Sequence, residues 1–140
     1  MWTENLAEFV KERVSKCYWE LDENCATATL NILSEVFEIE LNSQTVDAAL
    51  GMHGAGKYGA QCGLVEGTLM FLGIFGRQNN MQDEIIIDVC RDFAKQFEDK
   101  FNSLQCRVLR PQGFNSDNSL HLCERLKCQE VEFAIKYISR

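Results

Sequence analysis

The sequence predicts an all-α domain of about six helices, with a glycine-rich loop before a central apolar helix. Two observations carry this reading. Apolar residues recur at spacings of three and four along almost the whole chain, the period of a helix with one buried face. Strand alternation is missing; Ile85-Ile86-Ile87 is the one β-like run, and it fits the helical stripe around it.

The first helix is expected from Thr3 to about Glu20, with Leu6, Phe9, Val10, Val14, Cys17 and Tyr18 on one stripe. Asp22 is the expected N-cap of the second, whose inner face carries Cys25, Ala28, Thr29, Ile32, Leu33, Val36 and Phe37. Asn42 or Ser43 starts a short third helix with Val46, Ala49 and Leu50 inward. Gly51, Gly54, Gly56 and Gly59 then make a flexible loop. An apolar helix follows from about Ala60 to Phe75. Gly59, Gly63 and Gly67 are four apart and share one face, a smooth surface for another backbone. Each such glycine costs ~1 kcal/mol relative to alanine, tolerated where packing or a site requires it. A long amphipathic helix runs from about Met81 to Leu104, lined by Ile86, Val89, Cys90, Phe93, Ala94, Phe97, Phe101 and Leu104. Pro111 and Gly113 break the chain, and a last helix runs from Asn118 or Ser119 to Ile138. No linker or repeat divides the 140 residues, so residues 1–140 read as a single domain, long enough to bury a core.

Composition excludes some classes. The net charge is −7 and no basic block occurs, which argues against nucleic acid and against an anionic membrane surface as partners. The longest nearly apolar run, Gly67 to Gly76, is far shorter than the ~20 residues that cross a bilayer, so no membrane insertion is expected. The N-terminus lacks the basic and apolar regions of a signal peptide. Seven cysteines, an odd number, cannot all pair within one chain. These features predict a cytoplasmic protein with thiols reduced at rest, in which grouped cysteines point to redox work or metal.

Two phosphate-binding motifs are suggested and rejected. Gly51-Met-His-Gly-Ala-Gly56-Lys57-Tyr58 is one residue from a phosphate loop, but Tyr58 stands where a small hydroxyl must hold Mg²⁺. The preceding Val46–Leu50 reads as helix where a buried strand is required. Gly54-Ala-Gly56-Lys-Tyr-Gly59 matches a dinucleotide fingerprint in letters only, for the same reason.

The cysteines carry the functional signal. Cys62 follows the glycine loop at a helix start, where free N–H groups and the helix dipole favour a thiolate. The expectation is an accessible Cys62 with a pKa below that of free cysteine. Cys25 falls in the first turn of its helix, Cys123 near the start of the last, and Cys106 at the junction before Pro111. Cys17, Cys90 and Cys128 lie on or near apolar stripes and are assigned to packing. No C-x-x-C occurs, so thioredoxin-type and zinc-ribbon patterns are missing. Glu66, one turn after Cys62, is placed to tune that thiol or take its proton, and His53 and His121 are the two histidines available as proton carriers or ligands.

Cys62-Gly63-Leu-Val-Glu-Gly67, with the glycine-rich loop before it and Thr-Leu-Met-Phe-Leu-Gly after it, resembles the CGAxxG motif of the family described as putative redox-active protein, C_GCAxxG_C_C. Asn24-Cys25-Ala26 resembles the family's first cysteine segment, and Phe101-Asn-Ser-Leu-Gln-Cys106-Arg107 and Cys123 resemble its last two. The likeness runs from about Asn24 to the C-terminal helix. It departs at Leu64, where the motif has alanine. The resemblance implies redox activity centred on Cys25, Cys62, Cys106 and Cys123, an unnamed redox partner and a link to transport.

Three readings compete. In the first, Cys62 attacks as a thiolate and another of the four resolves the mixed disulfide. In the second, the same four thiolates hold zinc or an iron–sulfur cluster in a binding or electron-transfer module. In the third, the cysteines only pack. Either site reading requires Cys25, Cys62, Cys106 and Cys123 to converge.

Overall fold

The computed structural model describes residues 5–21, 23–109 and 124–140, and among these the chain is helical with no strand. The expected helices are all present, though their bounds shift. Helix α1 spans Leu6–Ser15 and continues into a widened π turn, Lys16–Glu20. Its stripe buries Leu6, Val10, Val14, Cys17 and Tyr18. Helix α2 spans Cys25–Val36, and its N-cap is Asn24 rather than Asp22. The Asn24 side chain accepts a hydrogen bond from Thr27 N at 2.9 Å and donates to Leu50 O at 3.0 Å, so one residue caps the helix and anchors the next connection. Asp22 lies outside the described residues. Helix α3, Ser43–Ala48, is capped by Asn42 as expected. Of its three expected inward residues, Ala49 alone is fully buried, and Leu50 stands 70% exposed.

The glycine loop contains a feature its letters conceal. Gly54, Ala55, Gly56 and Lys57 have φ of 66°, 56°, 65° and 68°, one complete left-handed turn, labelled α4 (Gly54–Lys57). Left-handed geometry costs a residue with a side chain roughly 1–2 kcal/mol. Glycine at alternate positions halves the number of residues bearing that cost. Gly54 O ends the turn by accepting from the N–H groups of Tyr58, Gly59 and Ala60.

Helix α5 spans Gly63–Gln78, and α6 spans Asp83–Phe101, shorter at both ends than its stripe suggested. Asn102, with φ of 72°, terminates α6. A short helix α7, Cys106–Leu109, follows. The segments leading into α5 and α7 pair briefly: Gln61 bridges Gln105 antiparallel, Cys62 N donates to Leu104 O at 2.7 Å, and Cys106 N donates to Ala60 O at 2.7 Å. The described part of the last helix, α8, spans Glu124–Ser139. Pro111, Gly113, Asn118, Ser119, His121 and Cys123 lie outside the described residues.

Helices α2 and α5 form the most extensive pairing among the described residues, and α8 packs on α1. The α2–α5 contact depends on two of the three glycines expected to share a helix face; Gly59, with φ of 91°, precedes α5 and lies off that face. A Cβ on Gly63 would lie 2.7 Å from Cys25 Cβ, and one on Gly67 would lie 2.7 Å from Ala26 O. Two aromatic groups sit among the aliphatic residues of the core. Phe93, Phe97, Phe101, Phe133 and Tyr137 stack between α6 and α8, with ring centroids 4.6 to 6.2 Å apart. Phe37, Phe71 and Phe75 form a second group between α2 and α5. No helix among the described residues is long and apolar enough to cross a membrane.

Two alanine substitutions separate close approach from helix propensity. Gly67→Ala gains up to ~1 kcal/mol of propensity but must push α2 away, and a net loss of about 1–3 kcal/mol is expected. A methyl added at Gly73, on the same helix, would meet nothing within 4 Å, so Gly73→Ala should stabilise by up to ~1 kcal/mol. Thermal unfolding midpoints that fall for Gly67→Ala and rise for Gly73→Ala test the packing; equal shifts contradict it.

Candidate functional site

The site forms where the start of α2, the start of α5 and the inner face of α8 meet. Cys62 occupies the N-cap position of α5, with φ of −55° and ψ of 135°, and its carbonyl receives Glu66 N at 3.0 Å. Its backbone is fixed from both sides, by that bond and by Leu104. Cys25 is the first residue of α2, pressed against the bare backbone of Gly63. From the π turn, the hydroxyl of buried Tyr18 lies 3.2 Å from Cys25 Sγ.

Helix α8 supplies the charges. Lys127 is 2% exposed and Glu130 is fully buried. Lys127 Nζ lies 2.8 Å from Glu130 Oε1 and 3.5 Å from Cys62 Sγ, and Glu130 Oε2 lies 3.8 Å from the same sulfur. A thiol, an ammonium and a carboxylate thus form a closed triangle away from water. The ammonium and carboxylate cancel, so with Cys62 protonated the triangle is neutral.

This arrangement reverses the expectation for Cys62. Burial pushes its thiol up to about 12, against the downward pull of Lys127 and with further upward pressure from Glu130 and Cys25. The helix-start N–H groups and dipole remain, but desolvation at a 6% exposed residue outweighs them. Cys62 is therefore a protonated, sheltered thiol at neutral pH and not an accessible thiolate. Burial also opposes the charge on Lys127, yet Cys25, Cys62, Glu130 and Tyr18 around it hold its pKa well above the ordinary lysine value. Lys127 stays an ammonium.

The remaining candidates stand differently. Cys106 begins α7, and its Cβ and Sγ lie 3.3 and 3.6 Å from where a methyl on Gly54 would sit. It borders the left-handed turn, on the same short antiparallel pairing as Cys62. Cys123 lies outside the described residues. Glu66 accepts from the Gln61 side chain and does not serve as the thiol's carboxylate; Glu130 holds that position. His53 precedes the left-handed turn with its Cα 3.1 Å from the methyl position of Gly63. Burial and nearby Lys57 lower its pKa, and its Nδ1 is buried without a hydrogen bond among the described residues. Cys17 is buried as expected, with its thiol raised to about 12 by burial and by Glu23. Cys90 and Cys128 are half-buried against the core, more exposed than pure packing residues.

No two described cysteines form a disulfide, and among the described residues no three His, Cys, Asp or Glu side chains converge as a metal site requires. The Lys127 ammonium lies 3.5 Å from Cys62 Sγ and would repel a metal cation placed on that sulfur. That repulsion disfavours a cation on Cys62, and Cys123, the fourth thiolate of the metal reading, lies outside the described residues.

Sequence reasoning missed Tyr18, Lys127 and Glu130. A signal for the last two existed. Glu130, Val131, Ala134 and Ile135 follow Lys127 at spacings of three, four, seven and eight, which puts the pair on the buried stripe of α8 rather than its solvent face.

A family model described as putative redox-active protein (C_GCAxxG_C_C) matches residues 23–137, and the chain belongs to that family. No curated protein and no solved structure matches it.

The raised thiols predict a pH dependence. A proton held to about 12 in the folded state, against 9.0 ordinarily, contributes stability that is fully present below pH 9 and is lost as the pH climbs toward 12. The slope approaches ~1.4 kcal/mol per pH unit for each such thiol. Urea unfolding between pH 8 and 11 should show a shallower decline for Cys62→Ala than for the unchanged protein. Parallel declines would mean that Cys62 is not held protonated by the fold.

Proposed function

We propose that this member of the C_GCAxxG_C_C family is a thiol–disulfide redox protein whose exchanging pair is Cys25 and Cys62. The observation that carries this reading is the Lys127 ammonium, buried beside Cys62 and acting on Cys25 as well. A buried ion pair contributes little net stability, and apolar residues of similar size often replace one without loss. Its placement against a thiol supports a chemical role, because the ammonium stabilises negative charge on sulfur whenever that charge develops.

Exposure supports an order of events in which Cys25 acts first. Cys25 is partly exposed at the start of its helix, whereas Cys62 is sheltered. The Cys25 thiolate attacks a low-molecular-weight disulfide, RSSR, forming a mixed disulfide and releasing one RS⁻. Cys62 then attacks Cys25 Sγ, forming the Cys25–Cys62 disulfide and releasing the second RS⁻. Both leaving groups take up protons, so the protein loses two electrons and two protons and RSSR becomes two RSH. The close packing of Gly63 on Cys25 supports this partner choice, since Cys62 immediately precedes that glycine and a disulfide needs Cα atoms within ~7 Å. Cys106 and Cys123 are assigned to later exchange with the redox partner.

Trapping distinguishes this order from the reverse. Reduced Cys62→Ser treated with one equivalent of a small disulfide should stop at a mixed disulfide on Cys25, located by peptide mass mapping. The unchanged protein should proceed to a Cys25–Cys62 linkage. Cys25→Ser should leave Cys62 unmodified at neutral pH. A mixed disulfide that accumulates on Cys62 instead, or an unchanged protein that never links Cys25 to Cys62, contradicts the assignment.

A further inference from the structure

The geometry points to Glu130 as the acceptor of the Cys62 proton, with Lys127 positioned to hold the charge that the transfer creates. This inference rests on Cys62 being the resolving thiol. The ionisable groups acting on the sulfur are Cys25 from α2 and Lys127 and Glu130 from α8, while Tyr18 from the π turn faces Cys25 and Lys127 behind them. His53 adjoins from the loop, through its backbone at Gly63. Of these, Glu130 is the one that carries a carboxylate, and its Oε2 lies 3.8 Å from Sγ.

Charge balance makes the transfer favourable relative to its alternative. At rest the triangle holds ammonium, carboxylate and thiol, with no net charge. If Cys62 lost its proton to water, the buried triangle would acquire a full negative charge, and a buried unbalanced charge is costly. If the proton moves from Sγ to Glu130 Oε2, the triangle becomes ammonium, neutral carboxylic acid and thiolate, again with no net charge. Lys127 Nζ is already within reach of both the carboxylate and the sulfur, so its positive charge can serve either anion without a rotamer change. The thiolate then displaces the leaving group from Cys25. The S–S bond between Cys25 and the leaving group breaks, the Cys25–Cys62 bond forms, and the proton on Glu130 passes to the departing RS⁻ or to solvent. Glu130 ends as the carboxylate it was, paired with Lys127. The oxidant remains the low-molecular-weight disulfide.

An internal transfer leaves a kinetic signature, because both forms of the triangle carry the same number of protons. The full chain, reduced, is mixed with one equivalent of 4,4′-dithiodipyridine, and release of the pyridinethione is followed in time. The first phase depends on reagent concentration and reports attack by the first thiol. The second is independent of reagent and reports resolution by Cys62. The second-phase rate should change less than about threefold between pH 6 and pH 8, whereas a thiol that must ionise to solvent accelerates ~tenfold per pH unit below its pKa. Glu130→Gln keeps the side-chain shape but cannot take the proton, so its second phase should acquire that tenfold dependence. A second phase that already rises tenfold per unit in the unchanged protein overturns the role of Glu130 while leaving the exchanging pair intact, and this holds even if Glu130→Gln does not fold. Identical pH profiles for the unchanged protein and a folded Glu130→Gln overturn it too. Absence of any second phase overturns the exchanging pair, and the proton acceptor with it.

Discussion

The buried pair of Lys127 and Glu130 is the constraint on which the rest of the site depends. Two charges placed almost out of reach of water are tolerable only while each satisfies the other, and here they meet at 2.8 Å. The rotation of α8 set by its packing meets that requirement. With Lys127 and Glu130 turned inward over Cys62, Val131, Ala134 and Ile135 are carried into the core and Phe133 meets the aromatic face of α6. The thiol is enclosed as a consequence, and its raised pKa follows from the enclosure more than from any single neighbour.

Backbone proximity supplies the other half. Cys25 and Cys62 are far apart in sequence, and two helix starts meet only if no side chain separates them. Gly63 and Gly67 remove that obstacle, so α2 lies directly on the backbone of α5. The approach to Cys62 is set by the left-handed turn of α4 and by the short pairing of residues 60–62 with 104–106. A strained turn of four residues persists because its ends are over-determined: His53 O and Gly54 O accept its closing hydrogen bonds, and the side chain of Arg107 donates to Gly59 O and Tyr58 O beyond it.

Much of the fold was legible in the sequence because it is written in apolar spacing. The stripes of Leu6–Tyr18, Cys25–Phe37 and Ile86–Phe101 appear in the buried surfaces of α1, α2 and α6, and Gly63 and Gly67, though not Gly59, form the expected close helix contact. What failed to show was governed by local or tertiary detail. Asp22 and Asn24 are both good caps, and only the backbone decides between them. Leu50 sits on the right spacing, yet its helix ends too early to bury it. Four consecutive left-handed residues cannot be inferred from two glycines, an alanine and a lysine. The site was legible in part. Cys25 and Cys62 stood out by position, but the chemistry of Cys62 did not. Helix-start arguments are local and favour a thiolate, whereas burial is imposed by α8 from 65 residues away. A lysine and a glutamate three apart ordinarily form a solvated surface pair, and only the packing of α8 turns this one inward.

The central claim is that Lys127 and Glu130 act as one buried unit, and a double-mutant cycle on unfolding free energy tests it most directly. Lys127→Met should cost about 3–5 kcal/mol by leaving a buried carboxylate without its partner, and Glu130→Leu a similar amount by stranding the ammonium. The double variant should recover most of that loss, because neither charge then remains, giving a coupling of several kcal/mol. Losses that simply add, or single substitutions within about 0.5 kcal/mol of the unchanged protein, would contradict the account by showing that the two side chains are hydrated and independent.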